Sequence, residues 1–262
     1  MMDFPQPVMI ERVRELALAD ERISAALMYG SFIRGEGDQF SDIEFYLFYR
    51  SDPDHREWVA GVRPLRMFFR NEFGTEVAIF DNLVRGEFHF GPVEDIEVVK
   101  SWEGETSFEH ADQMILADKD GRLAEVLSRV SRERPRHDSP EQIRWLGESL
   151  LNNLLLLKNL AARGEGAHAQ QTFQFLQKYL IQLIRLADAA DNHWENSAKM
   201  LEKEISAAWY AAYAACVPDL APGRMAERLK AAVALSRKLF VELNMADDLR
   251  ALLEDIAAFT PE

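Results

Sequence analysis

Hydrophobic positions in the first half of the chain predict both helices and strands. Ile10, Val13 and Leu16 recur at helical spacing and predict a helix over residues 8–19. A basic segment over residues 55–73 predicts a second helix. Short apolar or alternating runs predict strands at residues 25–29, 42–49, 75–81, 87–90 and 95–99. This order of elements predicts an α+β fold with a mixed sheet of about five strands.

The second half has a different pattern, rich in Leu and Ala with almost no strand signal. The polar, proline-containing segment 131–140 predicts a boundary, which gives one domain at 1–132 and another at 133–262. Ser139 is a candidate N-cap, and the leucines that follow it recur at helical spacing until Gly164. Further helices are predicted at 167–190, 194–215, 223–243 and 246–258. The second domain is therefore predicted to be an all-α helical bundle.

Composition narrows the classes of function. The 262 residues include 30 Lys and Arg against 44 Asp and Glu, for a net charge of −14, which disfavours a protein that binds nucleic acid. The single cysteine, Cys216, excludes an internal disulfide and fits a reducing compartment. Neither a membrane span nor a signal pattern is evident. We therefore expect a cytoplasmic protein without a nucleic-acid or membrane partner, either a monomer or a homodimer.

Candidate chemistry is concentrated between Tyr29 and Phe45. Asp42 and Glu44 are two residues apart in a predicted strand, so both carboxylates leave the same face, and oxygen ligands of this kind suit Mg²⁺. The preceding strand ends at Gly30-Ser31, where backbone N–H groups and the Ser31 hydroxyl can approach phosphate oxygens. Each feature alone is common by chance. Together they predict a site for a nucleoside triphosphate and its metal.

The same residues resemble the signature of the DNA-polymerase-β-like nucleotidyltransferase superfamily. Gly30-Ser31-Phe32-Ile33-Arg34-Gly35 followed by Ser41-Asp42-Ile43-Glu44 is similar to antibiotic nucleotidyltransferases, and longer runs are similar to lincosamide nucleotidyltransferases of the LinB type. Among those runs is Arg85-Gly86-Glu87-Phe88-His89-Phe90. The resemblance spans nearly the whole chain and is strongest over 21–90. It departs at the N-terminus, at 50–65 and over much of 103–140.

The resemblance implies an enzyme that moves AMP from ATP to a hydroxyl of a lincosamide antibiotic and releases pyrophosphate. Asp42 and Glu44 would hold Mg²⁺, and Glu87 would take the proton of the hydroxyl. The residues themselves leave Glu76 and Asp81, on the adjacent predicted strand, open as rivals for the third carboxylate, with Glu76 the nearer rival. Arg34 would meet the triphosphate, or else neutralise Glu36 and Asp38 in the same loop.

Two further residue assignments stay open on the sequence alone. Ser41 either donates a hydrogen bond to Asp42 or simply ends a turn. On the predicted helix 170–187, polar residues recur along one stripe. That stripe, formed by Gln174, Lys178, Gln182 and Arg185, is either a solvated face or a source of ligand contacts.

Two other functions compete with the lincosamide hypothesis. The same adenylyl transfer onto an aminoglycoside would suit an acidic protein, since that antibiotic is a polycation. A non-catalytic nucleotide-binding regulator or antitoxin with the same fold belongs to a different class of function. The intact Asp42-x-Glu44 pair and the complete second domain disfavour the regulator.

Overall fold

A computed structural model describes residues 4–103, 108–217 and 224–258. The chain divides into two compact units, Met1–Pro135 and Arg136–Glu262. The first unit contains a mixed sheet with helices, and the described residues of the second unit form helices and turns. The predicted fold class, an α+β sheet domain followed by an all-α domain, is confirmed.

Six strands form the sheet of the first unit. They are β1 (Ile23–Tyr29), β2 (Ile43–Tyr49), β3 (Leu65–Arg70), β4 (Glu76–Phe80), β5 (Arg85–Pro92) and β6 (Ile115–Asp118). Their order across the sheet is β3-β4-β5-β2-β1-β6. Strands β2 and β5 run parallel, whereas the other neighbouring pairs run antiparallel. The parallel pair therefore lies at the centre of the sheet.

Among the described residues of the first unit, four helices and one 3₁₀ segment accompany this sheet. They are α1 (Gln6–Ala19), α2 (His55–Ala60), the 3₁₀ helix Val93–Trp102, α3 (Ala111–Met114) and α4 (Arg122–Ser128). The central strands contribute aromatic residues to a buried core, where the rings of Phe45 and Phe88 lie 5.3 Å apart. Because β2 and β5 each bury one face in this core, the chain leading into them is held at fixed positions.

Two predicted elements of this unit are wrong. The predicted helix 55–73 ends at Ala60, because Pro64 disfavours helix at the residue before it and has no N–H, and the basic residues beyond it form the edge strand β3. The predicted strand 95–99 is the 3₁₀ helix. Its buried residues Val93, Ile96 and Val99 are spaced by three, which is the period of a 3₁₀ helix.

The helical unit contains six helices in its described residues. They are α5 (Pro140–Ala162), α6 (Gly166–Ala187), α7 (Leu201–Glu204), α8 (Ala207–Ala214), α9 (Arg224–Glu242) and α10 (Asp247–Ala258). Ser139 caps α5 as predicted, since its side chain accepts a hydrogen bond from the backbone N–H of Gln142. Leu150 and Leu154 of α5 are buried with Phe173 and Leu176 of α6 in one core. Among the described residues, no helix is long and apolar enough to cross a membrane.

The predicted helix 194–215 is wrong for a reason that lies in α6. Turns occupy the chain up to Met200, which has a positive φ of 53°, and only α7 and α8 follow. The guanidinium group of Arg185 is fully buried and donates hydrogen bonds to the carbonyl oxygens of Ala190, Ser197 and Lys199. The turns therefore direct their carbonyls towards one buried cation, which a continuous helix would not allow.

Candidate active site

Three carboxylates lie where β2 and β5 begin. Asp42 immediately precedes β2, Glu44 is its second residue, and Glu87 is the third residue of β5. Glu44 and Glu87 are direct partners in the parallel register of the two strands. Neighbouring strands lie about 4.8 Å apart, so these two side chains leave the same face side by side. The pairing brings together the carboxylates of two distant sequence segments.

The turn at Gly30 brings the end of β1 against Glu44. Gly30 has a positive φ of 83°, and a Cβ atom placed on it would lie 1.5 Å from Oε2 of Glu44. The backbone N–H of Ser31 donates a hydrogen bond to the Glu44 carboxylate. The sequence predicted that glycine here lets a phosphate approach the backbone. In this structure, the group that needs the missing side chain is Glu44 itself.

The surroundings of Glu44 oppose its ionisation. Burial raises the pKa of Glu44 to about 7, with further increases from Glu87 and Asp42, against the opposing effects of Arg34 and the Ser31 N–H. Burial also raises the pKa of Tyr29, and the charges of Glu44 and Glu87 raise it further. A carboxylate that ionises this reluctantly would be stabilised by a cation bound next to it.

Arg85 is the site residue that the sequence reasoning missed. Its guanidinium group forms ion pairs with both Asp42 and Glu87. The arginine belongs to the Arg85-Gly86-Glu87 run, but nothing in the run indicates that the side chain reaches Asp42, which is 43 positions earlier. Only the parallel pairing of β2 with β5 brings the two together.

The loop between Gly30 and Asp42 is held by hydrogen bonds. Arg34 forms an ion pair with Glu36, at 3.2 Å between Nε and Oε2. The Ser41 hydroxyl donates to Oδ1 of Asp38 and accepts from the backbone N–H of Asp38. Arg34 and Ser41 therefore make contacts within the loop, which was one of the two alternatives that the sequence left open for each.

Gln6 is a further residue near the site that the sequence did not predict. The buried side chain of Gln6 in α1 donates hydrogen bonds to the backbone carbonyls of Gln39 and Ser41. It therefore fixes the last residues before Asp42. A lone glutamine at the start of a helix carries no sequence signal for this role.

The rival carboxylate Glu76 lies elsewhere. Its partner in the β4–β5 pairing is Phe88, the neighbour of Glu87, so Glu76 leaves the sheet from the opposite face. There it pairs with Arg70 and His55. Asp81 pairs with Arg63. The carboxylate that stands beside Glu44 is Glu87.

The donor set fits a divalent cation. Mg²⁺ takes oxygen ligands and keeps open positions for phosphates, and Asp42, Glu44 and Glu87 offer carboxylates at one end of the sheet. The pKa of Glu44 is raised chiefly by burial and further by its two carboxylate neighbours, an effect that a bound cation would oppose. Within the described ranges, no three His, Cys, Asp or Glu side chains are already arranged to hold a metal ion. Because Arg85 pairs with two of these carboxylates, a cation bound there would compete with its guanidinium.

In the helical unit, Arg185 is neither a solvated side chain nor a free ligand contact. Besides the three carbonyls, Nη1 donates to Oε2 of Glu204 at 2.6 Å, and Nδ1 of His193 lies 2.8 Å from Oε1 of the same carboxylate. Burial alone would raise the pKa of Glu204, but these hydrogen bonds outweigh it and hold the pKa below its usual value. Gln182 is also buried, whereas Gln174 and Lys178 are exposed. The predicted polar stripe is thus solvated only in its first half.

Comparisons with known proteins concern both the fold and the family. One structural match is an aminoglycoside 6-adenyltransferase from Bacillus subtilis, with 14% identity, a TM-score of 0.41, and coverage of 96% of this chain and 98% of that one. Another is a nucleotidyltransferase-like protein from Exiguobacterium sibiricum, with 14% identity, a TM-score of 0.41, and coverage of 90% and 77%. No curated protein sequence matches the chain.

A family model matches the helical half of the chain. Residues 139–257 match the lincosamide nucleotidyltransferase-like C-terminal domain. The matched range begins at Ser139, the N-cap of α5, and ends within α10. It therefore corresponds to the helices that the structure shows. Residues 139–257, somewhat less than half of the chain, are therefore similar to the C-terminal domain of lincosamide nucleotidyltransferase-like proteins, a match that supports a nucleotidyltransferase.

Proposed function

We propose that this protein transfers AMP from ATP to a hydroxyl group of a lincosamide antibiotic, in a reaction that depends on Mg²⁺. The observation that carries the proposal is the pairing of Glu44 with Glu87 beside Asp42, on a chain whose residues 139–257 match the lincosamide nucleotidyltransferase-like C-terminal domain. The carboxylates supply what a metal-assisted phosphoryl transfer needs from a protein.

Asp42 and Glu44 are the proposed metal ligands. A divalent cation held there would neutralise charge on the phosphate oxygens during an in-line displacement. The turn at Gly30 and Ser31 adjoins Glu44, and its backbone N–H groups would be available to the same phosphates if Glu44 turned towards a bound cation. Arg34 is near enough to lower the pKa of Glu44 and would contribute a planar cation to the triphosphate.

Glu87 is the proposed general base. The hydroxyl oxygen of the antibiotic forms a bond to the α-phosphorus of ATP, the bond from that phosphorus to the bridging oxygen breaks, and pyrophosphate leaves. The hydroxyl proton passes to the Glu87 carboxylate, which is only 24% exposed and stands beside the metal ligand Glu44. Its ion pair with Arg85 holds this carboxylate in place.

The test is a direct assay of the full-length protein. It is incubated with MgCl₂, ATP and clindamycin, lincomycin or kanamycin, with detection of an AMP adduct by mass spectrometry and of pyrophosphate release. Adducts of the lincosamides that disappear with EDTA support the proposal. An adduct of kanamycin alone would replace the substrate with an aminoglycoside, and no adduct with any of the three would contradict the proposal.

The role of Glu87 is tested by Glu87→Gln, which keeps the shape of the side chain but cannot accept the proton. We expect kcat to fall by about 10²-fold to 10⁴-fold. Glu94→Gln is the matched control, since Glu94 is an exposed glutamate of the 3₁₀ helix. If Glu87→Gln retained the wild-type kcat, Glu87 would not be the base.

A further inference from the structure

Arg85 occupies a position that neither the proposed reaction nor the family match explains. It is the second residue before Glu87, and its guanidinium group pairs with that carboxylate and with Asp42. The Arg85 side chain is 36% exposed and that of Asp42 is 37% exposed, so solvent reaches both groups. The ion pair is therefore one that a competing ion can enter.

The two partners of Arg85 come from different parts of the proposed machinery. Asp42 is a proposed metal ligand and Glu87 is the proposed base. A guanidinium group has five N–H donors in a fixed plane and can hold two carboxylates at once. With one positive charge it partly compensates a group of three carboxylates that would otherwise repel one another.

A divalent cation and the Arg85 guanidinium compete for the same oxygens. Both are positive, so binding of the cation at Asp42 costs the protein its ion pair with Arg85. A triphosphate changes this balance, because its oxygens offer the displaced guanidinium a new planar, doubly hydrogen-bonded partner. Metal bound together with nucleotide therefore costs the site less than metal bound alone.

We propose that Arg85 is an internal counter-ion that holds Asp42 and Glu87 in the nucleotide-free protein and passes to phosphate oxygens when a metal–nucleotide complex binds. Arg85 then makes the site selective for metal accompanied by a triphosphate. This inference rests on the proposed function in one respect, that Asp42 is a metal ligand.

The test is a titration of the full-length protein with Mn²⁺ by calorimetry, with and without a non-hydrolysable ATP analogue. Wild-type protein is expected to bind Mn²⁺ alone weakly and to bind it more tightly with the analogue. In Arg85→Gln, binding of Mn²⁺ alone is expected to tighten by about threefold to tenfold, since two partly exposed ion pairs no longer compete. The gain from the analogue should shrink.

Two further variants separate charge from shape. Arg85→Lys keeps the positive charge and is expected to bind Mn²⁺ alone as weakly as the wild type. Arg63→Gln makes the same chemical change at the ion pair with Asp81 and should leave both titrations unchanged. If Arg85→Gln bound Mn²⁺ alone no more tightly than the wild type, the inference would be overturned.

Asp42→Asn distinguishes failure of the inference from failure of the proposed function. If this variant bound Mn²⁺ as the wild type does, the assignment of Asp42 as a metal ligand would fail. If it lost Mn²⁺ while Arg85→Gln stayed at the wild-type affinity, only the role of Arg85 would fail.

A measurement on unmodified protein covers the case in which Arg85→Gln does not fold. The Nε–H resonance of Arg85, assigned through Arg85→Lys, should shift when Mg²⁺ and the ATP analogue are added together and stay in place with Mg²⁺ alone. An unchanged resonance with both would overturn the inference.

Discussion

The two units each place an arginine against carboxylates, and they differ in how completely the charges are compensated. In the helical unit, buried Arg185 donates to three carbonyl oxygens and to Glu204, whose remaining oxygen faces His193. In the sheet unit, partly exposed Arg85 is shared by Asp42 and Glu87, while Glu44 beside them has a pKa raised to about 7.

The difference separates a structural cluster from the proposed active site. The helical cluster satisfies its buried charges with its own hydrogen bonds, and the pKa of Glu204 falls as a result. The sheet cluster keeps carboxylates whose charge is not fully balanced, which costs stability and leaves oxygens for an incoming cation. Strongly perturbed groups are concentrated at functional sites for this reason. The same residue types therefore serve different purposes, and burial with complete hydrogen bonding distinguishes them.

The largest effect should come from Asp42→Asn. Loss of one proposed metal ligand should lower kcat/KM by about 10³-fold or more, since charge stabilisation by a metal is worth several kcal/mol. The free energy of unfolding should change by less than about 0.5 kcal/mol, because the lost ion pair with Arg85 is solvent-exposed. Steady-state kinetics and urea denaturation measure the two quantities.

Asp81→Asn is the matched control for that variant, because Asp81 also forms an exposed ion pair with an arginine. It should leave both the activity and the stability near the wild-type values. If Asp42→Asn and Asp81→Asn lost the same activity, the proposed role of Asp42 as a metal ligand would be contradicted.

Arg185→Met should have the opposite profile and a large effect on stability. It leaves Glu204 without its buried cation and removes the donor to three carbonyls, which should cost about 3 kcal/mol of unfolding free energy. The amides of residues 190–200 should exchange faster in hydrogen-exchange mass spectrometry.

Lys178→Met is the control on the same helix, where the side chain is exposed. It should stay within about 0.5 kcal/mol of the wild type. If Arg185→Met were as stable as Lys178→Met, the hydrogen bonds of Arg185 would not contribute to the free energy of unfolding.

Glu44→Gln should produce the smallest change, and in the stabilising direction. The folded protein holds a proton on Glu44 up to a pKa of about 7, whereas an unperturbed glutamate has a pKa of 4.5. Stability of the metal-free protein is therefore full below pH 4.5 and falls as the pH rises through about 7. Glu44→Gln lacks this loss and should be about 2 kcal/mol more stable at pH 8, after allowance for partial exposure.

Denaturation in EDTA at pH 5 and pH 8 measures this effect, with Glu94→Gln as the exposed control. The advantage of Glu44→Gln should be present at pH 8 and small at pH 5. An equal advantage at both pH values would show that ionisation of Glu44 is not its source.

Local patterns in the sequence were sufficient for much of the fold and part of the candidate site. The period of two along β2 places Asp42 and Glu44 on one face, and the leucine spacing from Ser139 identifies α5. Such patterns depend on neighbours within a few residues. Residues 95–99 are predicted as a strand because β-branched residues favour strands, but tertiary contacts override this preference. In the structure these residues are part of the 3₁₀ helix Val93–Trp102.

Contacts between distant segments were decided only by the tertiary structure. Glu87 stands beside Glu44, and Arg85 reaches Asp42, because β5 pairs with β2 in one parallel register. The role of Arg185 depends on turns that fold back over its guanidinium group. An amino-acid sequence shows which side chains carry charge and how they are spaced. Burial, pairing register and hydrogen-bond partners determine how much each charge is compensated, since these set the local cost of ionisation.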